Sequence, residues 1–257
     1  MLDLMHIQKV YNPGLITEVC LFEDFNLHVE QGQFVSVVGS NGSGKTSMLN
    51  IICGSIPITQ GQVLLGGADV TRQPEYRRYA RMGRVYQNPA SGTCGDLTLL
   101  ENLALAESKG QHCGLQTAIR RSRTEEYRAM LARLGLGLED KLQVKMKSLS
   151  GGQRQAVALL MATMTPIDFL MLDEHTAALD PHTAERIMEL TDEVVREKKL
   201  TTIMITHNLR YAVEYGDRLL MLDRGQIVMD LTGEEKKKTT VDDVLSVFNR
   251  ISIECGN

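Results

Sequence analysis

The chain predicts an α/β domain on a largely parallel sheet, with a small antiparallel β subdomain near its start and an α-helical subdomain inserted in its middle. Three observations carry this. A strand–loop–helix unit surrounds Gly39-Ser40-Asn41-Gly42-Ser43-Gly44-Lys45-Thr46. A stretch of helical pattern runs from Leu97 to Met164. Strands alternating with helices resume from Phe169, and that alternation argues for parallel pairing.

Taken in order, Leu4–Val10 and Leu21–Val29 alternate apolar and polar residues around a turn at Asn12-Pro13-Gly14, and Gly61–Gly67 adds a short strand with a tight turn. These predict the antiparallel sheet. Residues 33–38 are an apolar, β-branched run, and Thr46–Cys53 reads as a helix stopped by Gly54. Gly83–Tyr86 is the next strand. Leu97–Ala106, Thr117–Leu134 and Gln153–Met164 read as helices. The second carries Arg120, Arg121, Arg123, Arg128 and Arg133 interleaved with Glu125 and Glu126, a solvated face rather than a binding patch. Phe169–Leu172, Thr183–Lys198, Thr201–Thr206 and Arg218–Leu222 then alternate strand and helix. The expectation is one domain over 1–257, with the α/β core and antiparallel sheet in 1–88 and 165–257 and the helical subdomain in 89–164.

Composition narrows the class. Hydrophobic residues make up 43% and charged residues 23% of 257, ordinary for a globular protein. With 28 Lys and Arg against 32 Asp and Glu, the formal charge is −4, which offers no broad footprint for nucleic acid. No run nears the roughly 20 apolar residues that cross a bilayer, and Met1-Leu2-Asp3-Leu4-Met5-His6 does not read as a signal peptide. Cys20, Cys53, Cys94, Cys113 and Cys255 are scattered without a C-x-x-C pair. They read as free thiols of a reducing compartment, the cytosol.

The chemistry lies in separated motifs. Residues 39–46 match G-x-x-x-x-G-K-[ST], whose backbone N–H groups cradle phosphates at a helix start while Lys45 reaches the β- and γ-phosphates. Gly39, Ser40, Asn41, Gly42, Ser43, Gly44, Lys45, Thr46 and Ser47 are therefore candidate nucleotide contacts, and the Thr46 hydroxyl is a candidate Mg²⁺ ligand. Asp173 and Glu174 end an apolar strand. Asp173 is suited to the Mg²⁺ shell and Glu174 to polarising the water that attacks the γ-phosphate. His207, after Thr201–Thr206, falls where a γ-phosphate sensor would lie. Gln87 fits a loop linking metal and γ-phosphate to the helical segment. Tyr11 could stack its ring on a base. Ser150, Gly151, Gly152 and Gln153 open a helix in the run Leu149-Ser150-Gly151-Gly152-Gln153, a second anion site. One chain has no use for two such sites, so a γ-phosphate presented by another subunit supplies the ligand, with Asp180 placed at the same interface.

In this order, the motifs from Tyr11 to His207 resemble the nucleotide-binding subunit of ATP-binding cassette transporters. The resemblance implies a P-loop NTPase cassette with a RecA-like parallel-sheet core, ATP and Mg²⁺ as ligands, and a homodimer in which Leu149–Gln153 of one copy closes the ATP site of the other. A narrower likeness lies in Tyr11-Asn12-Pro13-Gly14, Gly39–Thr46, Glu101–Ala106, Asp173–Asp180 and Gly233–Lys238. These look like bacterial importer ATPases that serve a permease and a binding lipoprotein, some of them for tryptophan or tyrosine. His175 stands where most cassettes carry proline. The expected function is to energise import, with Gln87–Asp96 contacting the permease and the subunit peripheral on the inner face of the membrane. A soluble cassette that assembles proteins or clusters is the alternative, as is an exporter or lipoprotein-release ATPase.

Overall fold

The computed structural model describes residues 1–110 and 121–254. The predicted helix start at 117–120, Arg120, Cys113 and Cys255 lie outside them. In chain order the elements are β1 (Leu2–Tyr11), β2 (Val19–Val29), β3 (Phe34–Gly39), α1 (Lys45–Cys53), β4 (Gln60–Leu65), β5 (Ala68–Asp69) and α2 (Glu75–Tyr79). There follow β6 (Met82–Val85), α3 (Leu99–Glu107), α4 (Thr124–Ala132), α5 (Gly151–Thr163), β7 (Phe169–Asp173) and α6 (Pro181–Lys198). The chain ends through β8 (Thr201–Ile205), α7 (Leu209–Glu214), β9 (Arg218–Asp223), β10 (Gln226–Thr232), α8 (Gly233–Lys238) and α9 (Val241–Glu254). Two compact units result: Met1–Arg78 with Lys199–Asn257, and Tyr79–Lys198.

The first unit holds the antiparallel sheet that the alternation predicts, in the order β2-β1-β4-β5. Its apolar positions Leu2, Leu4 and Ile7 on β1 and Phe22, Phe25, Leu27 and Val29 on β2 are buried. In the same unit β3 pairs parallel with β8 and β9, and β10 runs antiparallel to β9. Every residue of β3 is buried, as a near-continuous apolar run on a two-sided strand requires. Ser36, its one hydroxyl, donates to Tyr215 O at 3.0 Å.

Sequence periodicity missed β5, α2, β10 and α7–α9. Most are shorter than the window that periodicity needs. The charged α8 shows why: its Lys236 is buried, and Nζ donates to the carbonyls of Val213, Tyr215 and Gly216, each at 2.8 Å. A lysine thus closes the C-terminal end of α7, where its charge also suits the helix dipole. On α9, Val244 joins Val38, Ala212, Leu219 and Met221 in one apolar cluster.

In the second unit β6 and β7 pair parallel, from Met82 opposite Phe169 to Val85 opposite Leu172. The predicted helical stretch is α3, α4 and α5, but residues between α4 and α5 form turns tied back to α3, with Leu99 N donating to Val144 O and Leu100 N to Leu142 O, both at 2.9 Å. A capping box between Thr98 and Glu101 starts α3 at Leu99 rather than Leu97. Three arginines of the α4 region form ion pairs: Arg123 with Glu107 and Glu126, Arg128 with Glu125 and Asp140, and Arg133 with Glu197. The segment 89–164 lies in this unit together with β6, β7 and α6.

Candidate functional site

The loop from β3 to α1 is shaped by close approaches. Gly39 has φ +155°, and a Cβ there would lie 2.2 Å from Leu222 O on β9. Gly44, at φ +104°, is the N-cap of α1, and a Cβ would meet the Phe22 ring at 2.9 Å. Neither a capping side chain nor an acidic residue occupies the start of α1, so its positive end is kept for an anion. Lys45 is only 5% exposed, and its Nζ donates to Gly39 O and Ser40 O, both at 2.8 Å. Two further bonds brace the loop: Ser40 Oγ to Asp223 Oδ1 at 2.9 Å, and Gly225 N to Ser43 O at 3.0 Å. The buried Ser43 hydroxyl has no hydrogen-bond partner among the described residues, a polar atom that a phosphate oxygen would satisfy. Asn41, Gly42 and Thr46 are exposed, and Ser47 is half-buried. Ser47 Oγ takes the Tyr11 hydroxyl at 3.4 Å, while Lys9 Nζ stands 4.7 Å from the centroid of the Tyr11 ring. His207, just past β8, is exposed. Buried ammonium, glycine cradle and orphan hydroxyl together fit a polyphosphate.

The acidic motif belongs to the second unit. Asp173 ends the buried β7, is 9% exposed, and accepts from Arg84 Nη2 at 2.9 Å. Arg84 also lies 4.6 Å from the Tyr86 ring centroid. Sequence reasoning missed it, although an arginine inside the apolar strand Met82–Val85 is itself a signal that a buried acid waits for it. Glu174 follows with φ +50°. Gln87 is exposed just after β6, and Gln155, 1% exposed on α5, holds the preceding carbonyl through Nε2 to Tyr86 O at 3.1 Å. Gln155 too went unnoticed in the sequence.

At the start of α5, Ser150 is exposed and forms a capping box with Gln153: Ser150 Oγ accepts from Gln153 N at 3.2 Å, and Gln153 Oε1 accepts from Ser150 N at 3.3 Å. Gln153 Nε2 donates to Leu136 O at 3.1 Å. The serine keeps its own O–H to donate. Gly151 lies against Leu179, and Gly152 packs so closely on α6 that a Cβ would stand 2.1 Å from Thr183 Cγ2. Asp180 caps α6 by accepting Thr183 N at 3.0 Å. Bonds from the Thr183 side chain and backbone hold its carboxyl below the usual carboxylate range. Each unit therefore assembles its own part of the predicted set: Tyr11, residues 39–47 and His207 in one, Gln87, Ser150–Gln153, Asp173, Glu174 and Asp180 in the other.

A strand delivering a glycine-rich anion loop in one unit, and an acidic strand end on a parallel pair in the other, are the two parts of an α/β P-loop ATPase. Residues 22–177 match the family model of the ABC transporter. A tyrosine transport ATP-binding protein of Clostridioides difficile is 42% identical over 248 residues, covering 96% of this chain and 98% of that protein. The thiamine import ATP-binding protein ThiQ of Histophilus somni is 33% identical, covering 79% of this chain and 89% of its own length. Among solved structures, the dimeric cassette MJ0796 in a post-hydrolysis state with ADP and Pi superposes with a TM-score of 0.77 at 29% identity, over 90% of this chain and 98% of that one. The chain belongs to the ABC transporter family, as an ATP-binding, ATP-hydrolysing subunit.

Proposed function

We propose that the chain energises import of an amino acid, of the aromatic kind, as a homodimer docked on a membrane permease that a binding lipoprotein supplies. The observation that carries this reading is the 42% identity to a tyrosine transport ATP-binding protein along 96% of the chain. The whole of 1–257 acts as one cassette domain. Lys45 and the backbone of residues 42–46 hold the β- and γ-phosphates, and Tyr11 stacks on adenine. The oxygen donors Thr46, Gln87 and Asp173 are of the type that Mg²⁺ takes. When bound, that ion neutralises charge developing between the β- and γ-phosphates. Glu174 accepts a proton from the attacking water, and His207 bonds the γ-phosphate. Ser150–Gln153 and Asp180 meet the ATP held by the second copy, in keeping with the capped but still donating Ser150 hydroxyl. Among the described residues no helix is long and apolar enough to cross a membrane. Membrane attachment in this reading passes through the permease at Gln87–Asp96.

Two experiments test it. Tagged protein purified from gently solubilised membranes of its host should bring down a multi-span membrane protein. The companion binding protein should bind tyrosine or tryptophan. Recovery with soluble partners alone would favour an assembly ATPase instead. Ser150→Arg should cut ATP hydrolysis at least tenfold while the isolated monomer binds ATP as before, because the new side chain fills an anion site that only the partner's nucleotide uses. Loss of the cap costs the helix about 1 kcal/mol, too little to unfold the unit. Weakened binding by the monomer would contradict the shared site.

A further inference from the structure

Glu174 occupies the left-handed region at φ +50°, a conformation that costs energy for any residue with a Cβ and persists only where its surroundings impose it. The next residue, His175, is 2% exposed. Its Nε2 lies 3.2 Å from Oγ1 of Thr191, a fully buried residue of α6. Thr191 gives its hydroxyl proton to Ile187 O at 2.7 Å. Its oxygen is therefore left to accept, and the imidazole carries its proton on Nε2. Burial keeps the ring neutral by pushing its pKa down to about 4. The rest of the turn is pinned as well: Ala177 N donates to Glu174 O at 3.0 Å, and Leu179 N to Thr176 O at 3.2 Å. In the cassettes that carry proline after this glutamate, the pyrrolidine ring stiffens the backbone. His175 has no such ring, and its side chain reaches across to α6 instead.

We propose that His175 is a positioning residue: its Nε2–H bond to Thr191 anchors the backbone at Glu174 to α6 and so holds the Glu174 carboxylate in its hydrolytic orientation. This rests on the reading of Glu174 as the group that activates water. The bond is cut from either end, by Thr191→Val, which removes the acceptor at nearly constant volume, and by His175→Leu. Thr191→Ser and His175→Gln restore an acceptor and a donor. The full chain is measured for kcat, for KM, for equilibrium binding of a fluorescent ATP analogue and for thermal unfolding, with Glu174→Gln alongside.

Because misplacement by about 1 Å costs on the order of 100-fold, Thr191→Val and His175→Leu should lower kcat at least tenfold with KM and ATP binding within about twofold. The Ser and Gln variants should recover at least roughly a third of the rate lost by their partners. Unchanged kcat per folded molecule in either cut variant, with Glu174→Gln inactive, overturns the proposal. So does failure of both cut variants to fold, since the bond then serves folding alone. A Glu174→Gln enzyme that turns over like wild type would instead overturn the reading of Glu174 itself.

Discussion

Glu174→Gln abolishes steady-state ATP turnover and leaves ATP binding intact. The substitution keeps size and shape, so β7 and the turn beyond it are undisturbed. Glu174 follows the buried strand half-exposed and in a left-handed conformation. What the amide lacks is a basic oxygen. Loss of a general base costs about 100- to 10,000-fold, and the variant should fall at the larger end because the carboxylate next to it in sequence is not free to take over. Asp173 is already engaged by Arg84. With binding retained and hydrolysis blocked, the ATP-bound pair of subunits cannot reopen. Gel filtration with ATP should show a dimer that wild type forms only transiently. Turnover at the wild-type rate would sink the role given to Glu174, and a silent variant that stays monomeric with ATP would sink the closed dimer.

Arg78→Met lowers stability by about 3 kcal/mol, mostly because it takes the guanidinium donor from four backbone carbonyls, of which Ile51 O keeps a bond from Gly54 N at 3.2 Å. Arg78 is 5% exposed, and its guanidinium donates to Ile51 O at 2.8 Å, Ile52 O at 2.9 Å, Thr71 O at 3.0 Å and Gln73 O at 3.2 Å. The first two are carbonyls at the end of α1, where a positive charge also meets the negative end of the helix dipole. Burial pulls the guanidinium pKa down, yet an arginine stays charged in any protein setting. Methionine preserves most of the volume and supplies no donor. For a chain of this size the loss corresponds to a fall in Tm of roughly 6–12 °C. Differential scanning calorimetry reads it directly. A melting point within about 2 °C of wild type would mean that water replaces the guanidinium at those carbonyls.

How far the sequence carried can be judged residue by residue. β3, the loop and α1 were legible because each is a local pattern: an apolar run, glycines at fixed offsets and a lysine at a helix start. The strand before Asp173 was legible for the same reason. The α3 boundary was misjudged by two residues, since the apolar pattern begins at Leu97 whereas the Thr98–Glu101 capping box sets where helical hydrogen bonding begins. The helical stretch was predicted too continuous, because turns paired to α3 through Val144 and Leu142 present apolar residues at helix-like spacing.

The partners of buried charges and hydroxyls were not legible. Arg84 and Asp173 meet across 89 residues of sequence, Arg78 and Ile51 across 27, and Thr191 and His175 across 16. The sequence marks some of these residues, such as Asp173 and Arg84, but does not say which residue each one meets. The sequence alone determined the class of chemistry and the order of the motifs, since these depend on residue types at short, fixed spacings. Only the tertiary structure decided which arginine neutralises the acidic strand end, which helix the turn after Glu174 is tied to, and what closes the ends of α1 and α7. Those pairings come from strands and helices packed side by side, where the cost of an unpartnered buried polar group selects the neighbour and sequence distance has no part in the choice.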